Sequence, residues 1–88
     1  MVVRTDFETL ANKVKNLKIK VPQKVKLTLY GLYKQVKEGP CPEELERPSV
    51  IQFEERAKYD SWKSFKALTP DEAMKQYADV AKELFKKV

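Results

Sequence analysis

Gly39-Pro40-Cys41-Pro42-Glu43-Glu44-Leu45-Glu46-Arg47-Pro48 is the stretch on which the fold turns. Prolines sit on both sides of the cysteine, three glutamates follow, and no helical or alternating apolar period survives across it, so it reads as a loop. Fully extended, ten residues reach roughly 33 Å, whereas a helix of about sixteen residues spans roughly 24 Å. A loop of that reach lets the chain travel back along the preceding helix and start the next one parallel to it.

Working outward, the segment before the loop reads as a helix. Pro22 suits its first position, Leu27, Leu29, Tyr30, Leu32, Tyr33 and Val36 form its interior, and Gly39 supplies a C-terminal stop. Gly31 inside it costs about 1 kcal/mol relative to alanine and marks close packing. Earlier still, Thr5 followed by Glu8 has the spacing of a capping box. Phe7, Leu10, Ala11, Val14 and Leu17 then form one apolar stripe that ends near Lys18 or Ile19.

Beyond the loop, Ser49 with Gln52 resembles another capping box. Phe53, Ala57, Tyr59, Trp62 and Phe65, however, place the secure part of the third helix at residues 54–66. Thr69-Pro70-Asp71-Glu72 combines a capping threonine, proline at the first helical position and a reciprocal glutamate. Ala73, Tyr77, Val80, Ala81 and Leu84 then complete a fourth amphipathic helix. Four helices with two short connections and one long one predict an all-α, four-helix bundle; the pattern alone leaves the order of the helices open.

Residues 1–88 are the length of one domain, long enough to bury a core without disulfides or a metal. Hydrophobic residues make up 42% of the chain, in spaced patterns that leave no membrane-spanning run. Met1-Val2-Val3-Arg4-Thr5-Asp6 lacks a basic region followed by an apolar one, and a cytoplasmic protein is expected. The single cysteine, Cys41, suits a reducing compartment and reads as a loop residue without chemistry. Residues 1–38 carry nine Lys/Arg against three Asp/Glu, whereas residues 39–88 carry nine against ten, so the first half favours an anionic partner.

Catalysis finds little support. There is no histidine, glycine-rich phosphate loop, zinc-ligand spacing or serine elbow, and pairs such as Glu43-Glu44 and Glu54-Glu55 read as solvated surface. The informative segment is Tyr30-Gly31-Leu32-Tyr33-Lys34-Gln35. Tyr30, Tyr33 and Lys34 stand at i, i+3 and i+4, so two phenol rings and an ammonium share a helix face. A ring stacks on a purine, a hydroxyl donates to a phosphate oxygen and lysine brings a compact charge. The same face is open to a second reading, two core tyrosines with hydroxyls at the rim and a snorkelling lysine.

Tyr-Gly-Leu-Tyr-Lys-Gln at 30–35, the long loop closing on Arg47-Pro48, Ala57-Lys58-Tyr59-Asp60-Ser61-Trp62 and Ala73-Met74 followed by Tyr77 occur in that order over nearly the whole chain. Together they resemble the acyl-CoA-binding protein family. The resemblance implies four helices in up-down-down-up order and a shallow bowl that takes a medium- to long-chain fatty acyl-CoA ester. It implies that Tyr30, Lys34 and Lys58, with Lys15, surround the ribose 3′-phosphate of the coenzyme and that Tyr33 lies against the adenine. Ala11, Leu27 and Tyr77 would line the groove, although Tyr77 reads equally as a core tyrosine. The sequence departs from the family at Glu54-Glu55, where Lys-Gly is common, and at Tyr59, where tryptophan is usual.

The expectation is thus a single acyl-CoA-binding domain, with no cofactor and no enzymatic activity, monomeric, and touching membranes at most transiently. The end of the chain just after the fourth helix fits a free-standing carrier that pools and ferries acyl esters for lipid metabolism. The alternative is a basic helical interaction domain for nucleic acid or an acidic protein; no nucleic-acid-binding motif occurs.

Overall fold

A computed structural model describes residues 4–17 and 20–86 of the chain. Its four helices are α1 (Arg4–Lys15), α2 (Gln23–Glu38), α3 (Phe53–Ser64) and α4 (Pro70–Phe85), with no strand among the described residues. The start of α4 follows directly from its residues. The Thr69 hydroxyl accepts the Glu72 N–H at 3.1 Å and the Glu72 carboxylate accepts the Thr69 N–H at 2.9 Å, so two otherwise unpaired donors are satisfied reciprocally. At the end of α2, Gly39 takes φ 81°, a backbone setting that suits glycine, and donates its N–H to the Gln35 carbonyl at 3.1 Å. Pro22 caps α2 rather than occupying its first position.

Two predicted helix starts differ. Thr5 lies inside α1, not at its cap, and the Glu8 carboxylate is 2.7 Å from Lys37 Nζ on α2. A full opposite charge from another helix holds the carboxylate in place of a backbone N–H of its own first turn. The expected end of this helix at Lys18 or Ile19 lies outside the described residues; the helix itself closes at Lys15, followed by a tighter turn in which Leu17 N–H reaches Val14 O at 3.2 Å. Ser49 and Gln52 form a turn ahead of α3, with Ser49 N–H on Gln52 Oε1 at 3.2 Å, and Gln52 rather than Ser49 is the cap. At its far end α3 stops two residues early, and the 54–66 reading ends in a tighter turn closed by Phe65 N–H to Trp62 O and Lys66 N–H to Lys63 O.

Helix 2 lies at the centre, packed on both α3 and α4, while α1 packs on α4. Its contacts with α3 advance together: Tyr30 meets Lys58, Gly31 meets Ser61 and Lys34 meets Trp62, the pattern of parallel helices. Gly31 is required there, because a Cβ at that position would lie 2.8 Å from the Ser61 backbone carbon and oxygen. The long loop runs back along α3 in the opposite sense. Gly39 O accepts from Trp62 Nε1 at 2.8 Å, Leu45 O from the Tyr59 hydroxyl at 3.0 Å, and Arg47 pairs with Asp60 at 2.6 Å. These contacts deliver the chain to the start of a helix parallel to α2, as the reach of the loop allows. Between α1 and α2 the partners run the other way, Glu8 with Lys37 and Ala11 on a groove shared with Tyr30, which accords with the up-down-down-up order.

The main core gathers Phe7, Leu29, Leu32, Val36 and the inner face of α4. Phe7 and Leu32 are fully enclosed, and each contributes roughly 1.5–3 kcal/mol of burial. A smaller cluster of Cys41, Tyr59 and Trp62 pins the loop to α3. There burial pushes the Cys41 thiol up and nearby Lys63 pulls it back. Phe53, by contrast, is 78% exposed beside exposed Val50 and Ile51, and adds nothing to the α3 packing face.

Candidate ligand-binding groove

Helix 1 leans on α4 and stands away from α2, and the gap between them is an open groove of about 530 Å³. Its position is set by Phe7. That ring stacks on Tyr33 with centroids 5.8 Å apart and 29° between planes, and meets Tyr77 edge-on at 5.0 Å. One enclosed side chain of α1 therefore fixes two aromatic walls, one from α2 and one from α4. Ala11, Val14 and Leu29 give the lining an apolar character between them.

Of the expected site residues, the structure brings Ala11, Lys15, Tyr30, Tyr33 and Tyr77 onto this one groove. Tyr77 is 3% exposed in the main core and also forms part of the lining. Burial, and then the neighbouring Tyr33, push its phenol up to about 12. Lys58 is not on the lining but reaches the rim from α3, with Nζ 5.4 Å from the Tyr30 ring centre. Lys34 also lies off the groove lining: it pairs with Glu38 one turn on and sits 4.7 Å from the Trp62 ring centre. Leu27 is likewise outside the lining, and its carbonyl accepts the Ser61 hydroxyl at the α2–α3 contact.

Sequence reading missed two charged lining residues, Lys26 and Glu8. Lys26 precedes Tyr30 by four positions, so reading the helix face backward as well as forward from the tyrosine would have found it. Glu8 is neutralised by Lys37, whose ammonium lies 6.0 Å from the Tyr33 ring centre. The groove is consequently polarised. Its Tyr30 end carries Lys15, Lys26 and, at the rim, Lys58, while its Tyr33 end is closed by an ion pair. Such a site draws an anionic group to the Tyr30 end, offers a flat ring a place by Tyr33 and gives apolar surface in between. Among the described residues no cluster of three potential metal ligands occurs, and no helix is long and apolar enough to cross a membrane.

Comparison with known proteins places the chain among relatives. The family described as Acyl CoA binding protein matches residues 4–81. The chain is 42% identical over 84 residues to an acyl-CoA-binding protein of Brassica napus, covering 96% of this chain and 89% of that one. It is also 42% identical over 79 residues to enoyl-CoA delta isomerase 2 of Rattus norvegicus, covering 90% of this chain but only 20% of the isomerase. The crystal structure of Oryza sativa Acyl-CoA-Binding Protein 2 superposes with a TM-score of 0.88 at 36% identity, covering 96% of this chain and 89% of that one.

Proposed function

The chain belongs to the acyl-CoA-binding protein family, and from that premise we propose that it is a non-enzymatic carrier, a single domain over residues 1–88, that binds medium- to long-chain fatty acyl-CoA esters. The observation that carries the reading is the joining of a cationic end and an apolar aromatic stretch in one groove, with Lys15, Lys26 and Tyr30 at one end and Ala11, Tyr33 and Tyr77 along it. Each part recognises a different portion of one amphipathic molecule. Lysine and tyrosine donors give charge-assisted bonds to the coenzyme's phosphates, Tyr33 lies against the adenine, and the apolar lining shelters part of the tail. Tyr30, Lys58 and Lys34 hold the ribose phosphate, with Lys34 exchanging its Glu38 partner for the ligand.

The tail sets the affinity. Covering about a dozen methylenes at about 0.8 kcal/mol each contributes up to roughly 10 kcal/mol before the cost of ordering the chain. The phosphate contacts alone contribute a few kcal/mol. The protein thus works as a monomer in the cytoplasm, without a cofactor, holding acyl esters for the enzymes that make and use them and meeting membranes only transiently. A basic interaction domain for nucleic acid or acidic proteins is the less favoured reading, because a salt-dependent surface of that kind needs no apolar trough beside its cations.

Calorimetric titration with esters of graded chain length, with free coenzyme A and with free fatty acid tests the proposal. Affinity rising steeply with chain length, and weak binding of both halves alone, is expected; unacylated coenzyme A binding as tightly as its palmitoyl ester would refute it.

A further inference from the structure

We infer, resting on the acyl-CoA reading above, that Lys26 is a phosphate-binding residue which, together with Lys15, holds the diphosphate of the ligand. Lys15 from α1 and Lys26 from α2 both line the groove, and neither has an ion-pair partner among the described residues. Of the other lysines of α2, Lys34 pairs with Glu38 and Lys37 with Glu8, while Lys24 lies off the groove lining. Tyr30 stands one turn after Lys26, and on its other side Lys58 of α3 lies against its ring at 5.4 Å. The cations around the groove therefore fall into two groups flanking one tyrosine: Lys58 at the α2–α3 rim, joined on the reading above by Lys34, and Lys15 with Lys26 inside the α1–α2 groove.

Coenzyme A presents two separate anionic groups, a diphosphate and a ribose 3′-phosphate. Two cation groups and two anionic groups match one to one, and the rim group with Tyr30 takes the ribose phosphate. The remaining pair inside the groove faces the diphosphate. Lysine suits that role as a compact charge on a flexible stem that follows a phosphate chain without needing a fixed fork geometry. The Glu8–Lys37 pair at the Tyr33 end presents no uncompensated cation, so nothing there competes for the anion.

The test is calorimetric titration of wild type, Lys26→Met, Lys26→Gln, Lys58→Met and the control Lys75→Met, an exposed position on α4. Each is titrated with palmitoyl-CoA and with its analogue lacking the 3′-phosphate. Both Lys26 variants are expected to bind about tenfold more weakly than wild type, by the same factor for the two esters. For Lys58→Met the loss is expected to shrink on the analogue, and Lys75→Met is expected to bind as wild type does. A Lys26 loss confined to the ester carrying the 3′-phosphate overturns the diphosphate assignment. A Lys26 loss no larger than that of Lys75→Met overturns any phosphate role for the residue while leaving the acyl-CoA reading intact. Wild type that binds neither ester overturns that reading, and this inference with it.

Discussion

Lys58 Nζ of α3 lies 5.4 Å from the centre of the Tyr30 ring of α2, so the cation nearest the groove's rim is held by the same tyrosine that lines the groove. The contact depends on the parallel course of α2 and α3, which the loop at 39–48 makes possible. Contact of this kind is worth about 0.5–1 kcal/mol at an exposed site, enough to bias where the flexible ammonium dwells.

Tyr30 and Lys58 should consequently act as one unit in binding. Tyr30→Ala and Lys58→Ala are each expected to weaken palmitoyl-CoA binding about tenfold, and the double variant by clearly less than the product of the two losses. A calorimetric double-mutant cycle measures this. Fully multiplicative losses would show that the two residues act separately.

Gly31→Ala should destabilise the fold although alanine is the better helix former. The propensity gain is about 1 kcal/mol, but the new Cβ meets the Ser61 backbone at 2.8 Å, and forcing two helices apart costs typically 1–3 kcal/mol. The expected outcome is a lower urea midpoint, together with weaker ligand binding because Lys58 moves with α3. A midpoint equal to or above that of wild type would mean that the helices tolerate the extra methyl.

Acid should loosen the loop from α3. The hydrogen bond from Arg47 holds the Asp60 carboxyl below its ordinary value of 3.8, and the Thr69 backbone N–H does the same for Glu72, below 4.5. A carboxylate depressed in the folded state binds fewer protons there than in the unfolded chain. Its contribution is whole above the ordinary value and is lost as pH falls through the lower folded one. Thermal melts between pH 7 and pH 2 should show stability falling below about pH 4.5, with a shallower fall for Asp60→Asn. An identical slope in that variant would contradict the assignment.

At the alkaline end the sign reverses. Tyr77, pushed up to about 12 by burial and then by Tyr33, keeps its proton in the folded protein at a pH where an unfolded tyrosine, at 10.0, has lost it. Its contribution is whole below pH 10 and declines as pH rises toward 12. Ultraviolet titration should show a late step from Tyr77, and Tyr77→Phe should remove that late step. A late step that persists in the variant would assign it elsewhere.

Much of the fold was legible where several local signals coincided. At Thr69-Pro70-Asp71-Glu72 the cap, the proline and the reciprocal glutamate all point one way, and α4 begins there. Thr5 with Glu8 has the same spacing, yet Glu8 answers to Lys37, a partner 29 positions away that local reading does not weigh. The aromatic half of the groove's lining was legible, since Tyr30, Tyr33 and Tyr77 were identifiable by motif and all reach the groove. Its charges were harder to place. Lys34 shares a helix face with Tyr30, but Glu38 four residues on and the Trp62 ring draw its ammonium off the groove, while Lys26, one turn before Tyr30, points to the groove without belonging to any motif. Long side chains go where charge and rings call them, and helical spacing fixes only where they start.

The claim that one polarised groove takes the ester is tested most directly by backbone amide chemical shifts followed during titration with palmitoyl-CoA. The account predicts that the largest changes fall on residues around the groove, among them Ala11, Lys15, Lys26, Tyr30, Tyr33 and Tyr77, with Lys58 at its rim. Changes concentrated instead at exposed Val50, Ile51 and Phe53, with the groove residues unmoved, would contradict it.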